Sequence, residues 1–148
     1  MAKEGKKSGQ TVLQAEVNTD DEWKDILQRT GLTLVDIYSE WSGPCTAMVP
    51  TLRKIKLELG DILSYAVAKN DRIQDLERFR GRSEPTWMFI EDGMMVNLIF
   101  GANCPQLMRL IHNEVKRVQE GGAPPVMLLP VNQRGPEESI RFSREEKI

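Results

Sequence analysis

The first regular pattern in the chain covers residues 12–17, where Gln14 and Glu16 alternate with Leu13, Ala15 and Val17. That period of two predicts a strand. Thr19 follows as a helix N-cap, and Glu22 three residues on completes a capping box. Trp23, Ile26 and Leu27 then fall on one helical face, and Gly31 ends the helix. Residues 32–38 are almost continuously apolar or β-branched, which predicts a central strand covered on both faces. Asp36 is the one charge inside that run.

Further along, Met48, Leu52, Ile55 and Leu59 recur at helical spacing, with Gly60 as the stop. Pro50 lies within this helix and is expected to kink it, because proline removes a ladder hydrogen bond. Residues 62–68 predict a second buried strand. Ile73, Leu76 and Phe79 mark a short amphipathic helix that ends near Gly81. Residues 86–90 and 95–100 read as two strands joined by a Glu91-Asp92-Gly93 turn. Trp87, Met88 and Phe89 are expected to be core, whereas Met94-Met95 at the hairpin suggests an exposed contact patch. Pro105 suits the start of a last helix whose stripe is Leu107, Leu110, Ile111, Val115 and Val118. Gly121-Gly122 stops it, and Pro124-Pro125 prevents its continuation.

Strands that alternate with helices imply parallel pairing with helices on the sheet faces, and the last two strands add an antiparallel hairpin. The fold class is therefore α/β, with a central mixed sheet flanked by helices. Residues 1–10, with Lys3, Lys6 and Lys7, are expected to be a disordered tail, 11–121 one domain, and 122–148 an extended tail rich in proline and charge. Residues 126–129 form a short apolar stretch there, which fits packing on the domain's own surface or docking to a partner. There is no internal repeat.

Composition narrows the partners. Lysine and arginine total 20 against 22 acidic residues, a net charge of −2, so no basic excess points to nucleic acid or an anionic membrane. No apolar run reaches the roughly 20 residues of a membrane span, and the first residues lack a secretory leader, so an intracellular, cytoplasmic chain is expected. Two cysteines, Cys45 and Cys104, make no disulfide framework, and a reducing compartment would keep both as thiols. One histidine, His112, cannot hold a metal alone. No metal and no cofactor are expected.

The segment Val35-Asp36-Ile37-Tyr38-Ser39-Glu40-Trp41-Ser42-Gly43-Pro44-Cys45 resembles the strand and active-site turn of the thioredoxin family, except at Ser42. Glu84-Pro85-Thr86 resembles that family's cis-proline loop, and Gly101-Ala102 the end of its last strand. The likeness covers roughly residues 11–120. Ser-Gly-Pro-Cys-Thr-Ala-Met at Ser42, residues 54–59, Glu84-Pro85 and Gly101-Ala102-Asn103 look in particular like the thioredoxin modules of ciliary proteins. These are the outer-arm dynein light chains and the thioredoxin–nucleoside diphosphate kinase proteins of sperm and cilia. The resemblance implies a place in the axoneme of a cilium or flagellum, with dynein-arm subunits or tubulin and doublet proteins as partners. No kinase domain is expected within these 148 residues, and the kinase's active-site histidine has no counterpart among them.

The chemistry that the resemblance implies needs two thiols two residues apart at a helix start: one attacks a disulfide and the other resolves it. Ser42 stands at the attacking position. A serine hydroxyl is un-ionised without a strong base and cannot form the S–S bond, so no catalytic residue of the dithiol cycle is expected in the degenerate motif Trp41, Ser42, Gly43, Pro44, Cys45. Ser42 is expected instead to cap the following helix. Asp36 matches the family's buried acid, and burial should raise its pKa. Trp41, Glu84, Pro85, Gly101 and Ala102 are the candidate peptide-binding surface. The competing expectation is a monothiol redox protein or sensor that acts through Cys45 or Cys104. In this fold Cys104 is expected to lie far from the Trp41–Cys45 turn, so no bond between the two is foreseen.

Overall fold

A computed structural model of the protein describes residues 13–81, 84–101, 103–122 and 129–130. Six strands form one mixed sheet: β1 (Ala15–Val17), β2 (Leu32–Tyr38), β3 (Leu63–Lys69), β4 (Thr86–Glu91), β5 (Met94–Phe100) and β6 (Leu129–Pro130). Their spatial order is β1-β3-β2-β4-β5-β6. The pairs β1·β3 and β2·β3 are parallel, and β2·β4, β4·β5 and β5·β6 are antiparallel. Among the described residues three α-helices accompany the sheet: α1 (Asp20–Leu27), α2 (Val49–Leu59) and α3 (Cys104–Gln119).

The helices start where side chains satisfy the free N–H groups. Thr19 Oγ1 accepts from Glu22 N at 3.2 Å, while Glu22 Oε1 reaches back to Asn18 N at 2.7 Å. At α3, Asn103 Oδ1 accepts from Gln106 N at 3.0 Å, and Pro105 occupies the first turn, where its missing N–H is no loss. The same logic corrects the expected kink at Pro50. Residues Thr46–Met48 form a separate 3₁₀ turn and α2 begins only at Val49, which places Pro50 in the first turn. No interior ladder bond is removed there, so proline has nothing to kink. Residues Gln74–Phe79 are also 3₁₀ rather than α-helical. The spacing of Ile73, Leu76 and Phe79, three and three, is the repeat of a 3₁₀ turn and stacks all three on one side; all are buried.

Period-two alternation divides the core between the two sheet faces. Val35, Ile37, Met88 and Ile90 meet Trp23 and Ile26 of α1 together with Ile73, Leu76 and Phe79. Leu32, Leu34, Trp87 and Phe89 meet Leu52 and Ile55 of α2 and Leu107, Ile111 and Val115 of α3. Trp87, Met88 and Phe89 are thus core, as expected. Met94-Met95 is not an exposed patch. Met95 is fully buried, Met94 is half-buried, and β6 pairs with both residues. A β-bulge explains Met95: Phe89 pairs with Asn97 but Ile90 with Met95, leaving Val96 as the extra residue. Met95 and Leu98 therefore reach one face while Val96 and Ile99 reach the other.

The far end of α3 is fastened by charge. Arg117 Nη2 donates to Glu91 Oε1 at 2.6 Å and to Glu114 Oε1 at 2.8 Å, which ties the helix to the end of β4. The expected tails at 1–10 and most of 122–148 lie outside the described residues. Leu129–Pro130 is described, and its pairing with β5 is packing on the domain's own sheet.

Gly93 closes the hairpin at φ +86°, and a Cβ built there would sit 2.7 Å from the Leu27 carbonyl oxygen. Gly81 has a similar φ of +80° with nothing within 4 Å. Gly81→Ala should cost about 1 kcal/mol from left-handed strain alone. Gly93→Ala should cost about 3 kcal/mol, because the backbone of α1 must also move. Urea denaturation of the two variants measures the difference, and equal losses would refute the close approach at Gly93.

Candidate functional site

The motif sits at the end of β2, where the chain leaves the sheet and turns before α2. Ser39 makes that turn. Its carbonyl accepts from Ser42 N and from Gly43 N, both at 3.0 Å, and from Ser42 Oγ at 3.0 Å. The Ser39 hydroxyl, itself buried, donates to Asn70 Oδ1 at 3.1 Å, and Asn70 Nδ2 donates to the Phe79 carbonyl at 3.1 Å. Glu40 N donates to Asp71 Oδ1 at 2.8 Å. The turn is thus bolted to the loop after β3. Neither Ser39 nor Asn70 was singled out by sequence. A small polar residue at the buried end of an apolar strand, and an asparagine ending the next one, were the available signals.

Ser42 does not cap a helix. The chain runs on through Gly43, Pro44 and Cys45 before the 3₁₀ turn starts, and neither that turn nor α2 has a side-chain cap at its start. The hydroxyl spends its proton on the Ser39 carbonyl instead. A backbone carbonyl is no proton acceptor in the acid–base sense, so it cannot generate an alkoxide.

Behind the turn lies a cavity of about 180 Å³, bordered by Asp36, Tyr38, Ser42, Gly43, Pro44, Cys45, Glu84 and Pro85. Asp36 is 0% exposed. Its Oδ2 accepts from Cys45 N at 2.9 Å, and its Oδ1 has no partner among the described residues. Burial pushes its pKa up to about 6, and the bond from Cys45 N only partly opposes that. The Cys45 thiol is pushed up as well, first by burial and then by the Asp36 charge, against the pull of the Ala47 and Met48 backbone N–H groups. A thiol held protonated is a poor nucleophile.

The other expected residues divide. Glu84 and Pro85 border the cavity, and Gly101 N donates to the Pro85 carbonyl at 2.8 Å. Gly101 has φ +99°, and a Cβ there would lie 3.4 Å from Glu84 Oε1, so glycine fits this join between β4 and β5. Trp41 is 66% exposed and stands outside the cavity lining. Ala102 lies outside the described residues. Every peptide bond among the described residues is trans, so the cis bond implied before Pro85 is not found. Trans is the lower-energy isomer by about 0.5–1 kcal/mol even before proline. The expected separation of the two cysteines is also corrected. Both are free and half-buried, both flank the apolar cluster under α2 and α3, and the charge of Cys104 contributes to raising the Cys45 thiol. The reason is that α2 and α3 cover the same sheet face and start at the same end of it. His112 is exposed on α3, and its Nδ1 donates to the Met108 carbonyl at 2.9 Å. Among the described residues no cluster of His, Cys, Asp and Glu could hold a metal, and no helix is long and apolar enough to cross a membrane.

The thioredoxin family model matches residues 14–113. Thioredoxin domain-containing protein 6 of Homo sapiens is 37% identical over 113 residues, covering 76% of this chain and 34% of that protein. Its Xenopus laevis namesake is 43% identical over 106 residues, covering 71% of this chain and 17% of that protein. The chain therefore spans about a third of one of these curated relatives and about a sixth of the other. Among solved structures, a thioredoxin of Plasmodium falciparum superposes with a TM-score of 0.56 at 25% identity, over 67% of this chain and 97% of that one.

The Asp36 shift has a measurable sign. The folded chain keeps a proton up to about pH 6 that the unfolded chain releases near 3.8. Stability from this group is therefore full below pH 3.8 and is lost as pH rises to about 6, by roughly 3 kcal/mol. Asp36→Asn keeps an acceptor for Cys45 N without the charge. It should be more stable than the parent at pH 7.5 and should lose the slope between pH 4 and 6. Guanidinium titrations across that range check this, and parallel slopes in the two proteins would contradict it.

Proposed function

This chain belongs to the thioredoxin family, and from that premise we propose that it is a member kept for binding rather than for thiol chemistry, serving as an interaction component of a ciliary or flagellar axoneme. The observation that carries the first half is the bonding of Ser42. The hydroxyl stands where the attacking sulfur would be, donates to the Ser39 carbonyl, and has Cys45 beside it with a thiol shifted toward its protonated form. Disulfide reduction needs a thiolate and an S–S leaving group at that position, and an oxygen supplies neither.

The frame around the lost sulfur is intact. Asp36 holds the Cys45 backbone, Ser39 holds the turn, and Gly101 holds Pro85 beside it. Shape and backbone hydrogen bonds are enough to bind an extended peptide, so binding can outlast the redox cycle. The proposed contact surface is Trp41, Glu84, Pro85, Gly101 and Ala102. An indole that is two-thirds exposed, 66%, provides an apolar anchor for a partner.

Placement in the axoneme rests on the likeness of the Ser42-to-Met48 motif, Glu84-Pro85 and Gly101-Ala102-Asn103 to the thioredoxin modules of ciliary proteins. Dynein-arm subunits or doublet proteins are the proposed partners, and residues 11–121 the unit that docks. A monothiol mechanism at Cys45 alone is disfavoured by its burial and by the neighbouring carboxylate.

Insulin reduction with dithiothreitol as the electron source should show no turnover above background for this chain. Ser42→Cys should bring turnover within about tenfold of a dithiol thioredoxin, because the frame is already present. Turnover by the parent chain would sink the binding role. For the location, the tagged chain should stay with axonemes after detergent extraction of cilia, and complete release into the soluble fraction would exclude it from that structure.

A further inference from the structure

Cys45 and Cys104 are the two thiols of the chain, and the lost dithiol cycle uses neither of them as a pair. The sheet brings them to one place. Cys45 is fastened through its N–H to Asp36 on β2. Asp36 pairs across β4 with Trp87, and Trp87 with Ile99 on β5. From Ile99 the chain passes through Gly101, whose N–H holds the Pro85 carbonyl, and enters α3 at Cys104. The helices that follow the two cysteines, α2 and α3, lie on the same face, with Leu52 and Leu107 in one apolar cluster. Both cysteine side chains pack against that cluster, and both are half-buried and free. Cys104 also adds in a small way to the upward shift of the Cys45 thiol, in line with the two sharing one end of this face.

We propose that Cys45 and Cys104 form a reversible intramolecular disulfide when the chain meets a peroxide, a displaced dithiol pair that the Trp41–Cys45 motif does not announce. In the first step one thiolate attacks an oxygen of hydrogen peroxide. The O–O bond breaks, a sulfenic acid forms, and hydroxide leaves and takes up a proton as water. In the second step the other thiol attacks the sulfenic sulfur. The S–O bond breaks, the S–S bond forms, and the hydroxyl leaves as water with the thiol's proton. Two thiols lose one electron each and one peroxide gains two. An external dithiol reverses the bond through a mixed disulfide.

The bond requires the two Cα atoms to come within about 7 Å. It would staple the start of α3 to the turn that leads into α2, beside the cavity mouth. It is a stoichiometric modification and not a reductase cycle, since the exposed first position of the turn stays serine. It rests on where the two thiols lie and not on the axonemal assignment, so either can fail without the other.

The test uses the full chain, fully reduced, freed of reductant, and treated at low micromolar concentration with a few equivalents of hydrogen peroxide. The chain is then alkylated and digested without reductant. The expected result is a monomer lighter by two hydrogens and a linked peptide pair containing Cys45 and Cys104, which dithiothreitol separates. Maleimide labelling of the two thiols should fall together, at least fivefold. Cys104→Ser should abolish the linked pair, and Cys45→Ser should leave Cys104 as a dimedone-reactive sulfenic acid. Single oxidation of each thiol without a linked peptide would overturn the proposal, and so would linkage only between molecules or no reaction at millimolar peroxide. The parent chain alone decides the matter, whether or not either serine variant folds.

Discussion

Asp36 lies in the middle of the central strand, and its carboxyl is the point to which the turn before α2 is tied. It has neighbours on both sides of the sheet and no exposure to solvent. A buried carboxyl with one satisfied oxygen is an expensive group to keep in an apolar strand. What it secures is the Cys45 N–H, which no helix or strand partner satisfies. Through that bond the turn, the 3₁₀ segment and the start of α2 inherit their position from the sheet. The Ser39 carbonyl does the complementary task from the other end of the turn, gathering three donors. Between them these two groups shape the cavity, whatever residue stands at position 42.

That division of labour leaves the frame of the turn independent of the side chain at position 42. None of the bonds that hold the turn uses the side chain at 42 as an acceptor, and as a donor it reaches only carbonyls, that of Ser39, already engaged by two amides, and that of Gly43 at 3.5 Å. The position is replaceable without collapse. The site is therefore a shape first, and chemistry is a separate layer added by one atom.

Much of the fold was legible in the chain because strands and helices write their burial into residue periods. The continuous run before Tyr38, the capping box at Thr19 and the turn at Glu91-Asp92-Gly93 each correspond to an observed element. What escaped was set by single residues or by contacts across the sheet. A bulge at Val96 alters the facing of every residue after it, yet no local pattern marks it. Pro50 carries the same sequence signal whether a helix starts before it or at it. The 3₁₀ spacing at Ile73, Leu76 and Phe79 was present, but a repeat of three is easily taken for a helical one. For the site, Asp36 and the turn could be read from the strand they interrupt. The Ser39–Asn70 bond and the convergence of Cys45 and Cys104 could not, because pairing across the sheet is not written in local order.

The sheet also acts as a partition. Ile37 and Met88 meet α1 on one side while Leu34 and Trp87 meet α2 and α3 on the other, and the two clusters share no residue. Substitutions in groups without common partners have additive effects. The α1 side can therefore drift or be redesigned nearly independently of the α2 and α3 side, which carries the cavity and both thiols. A lineage can stabilise or loosen this domain from behind while the face that carries the cavity is held constant. Sequence divergence should accordingly be read separately for each face rather than averaged over the chain.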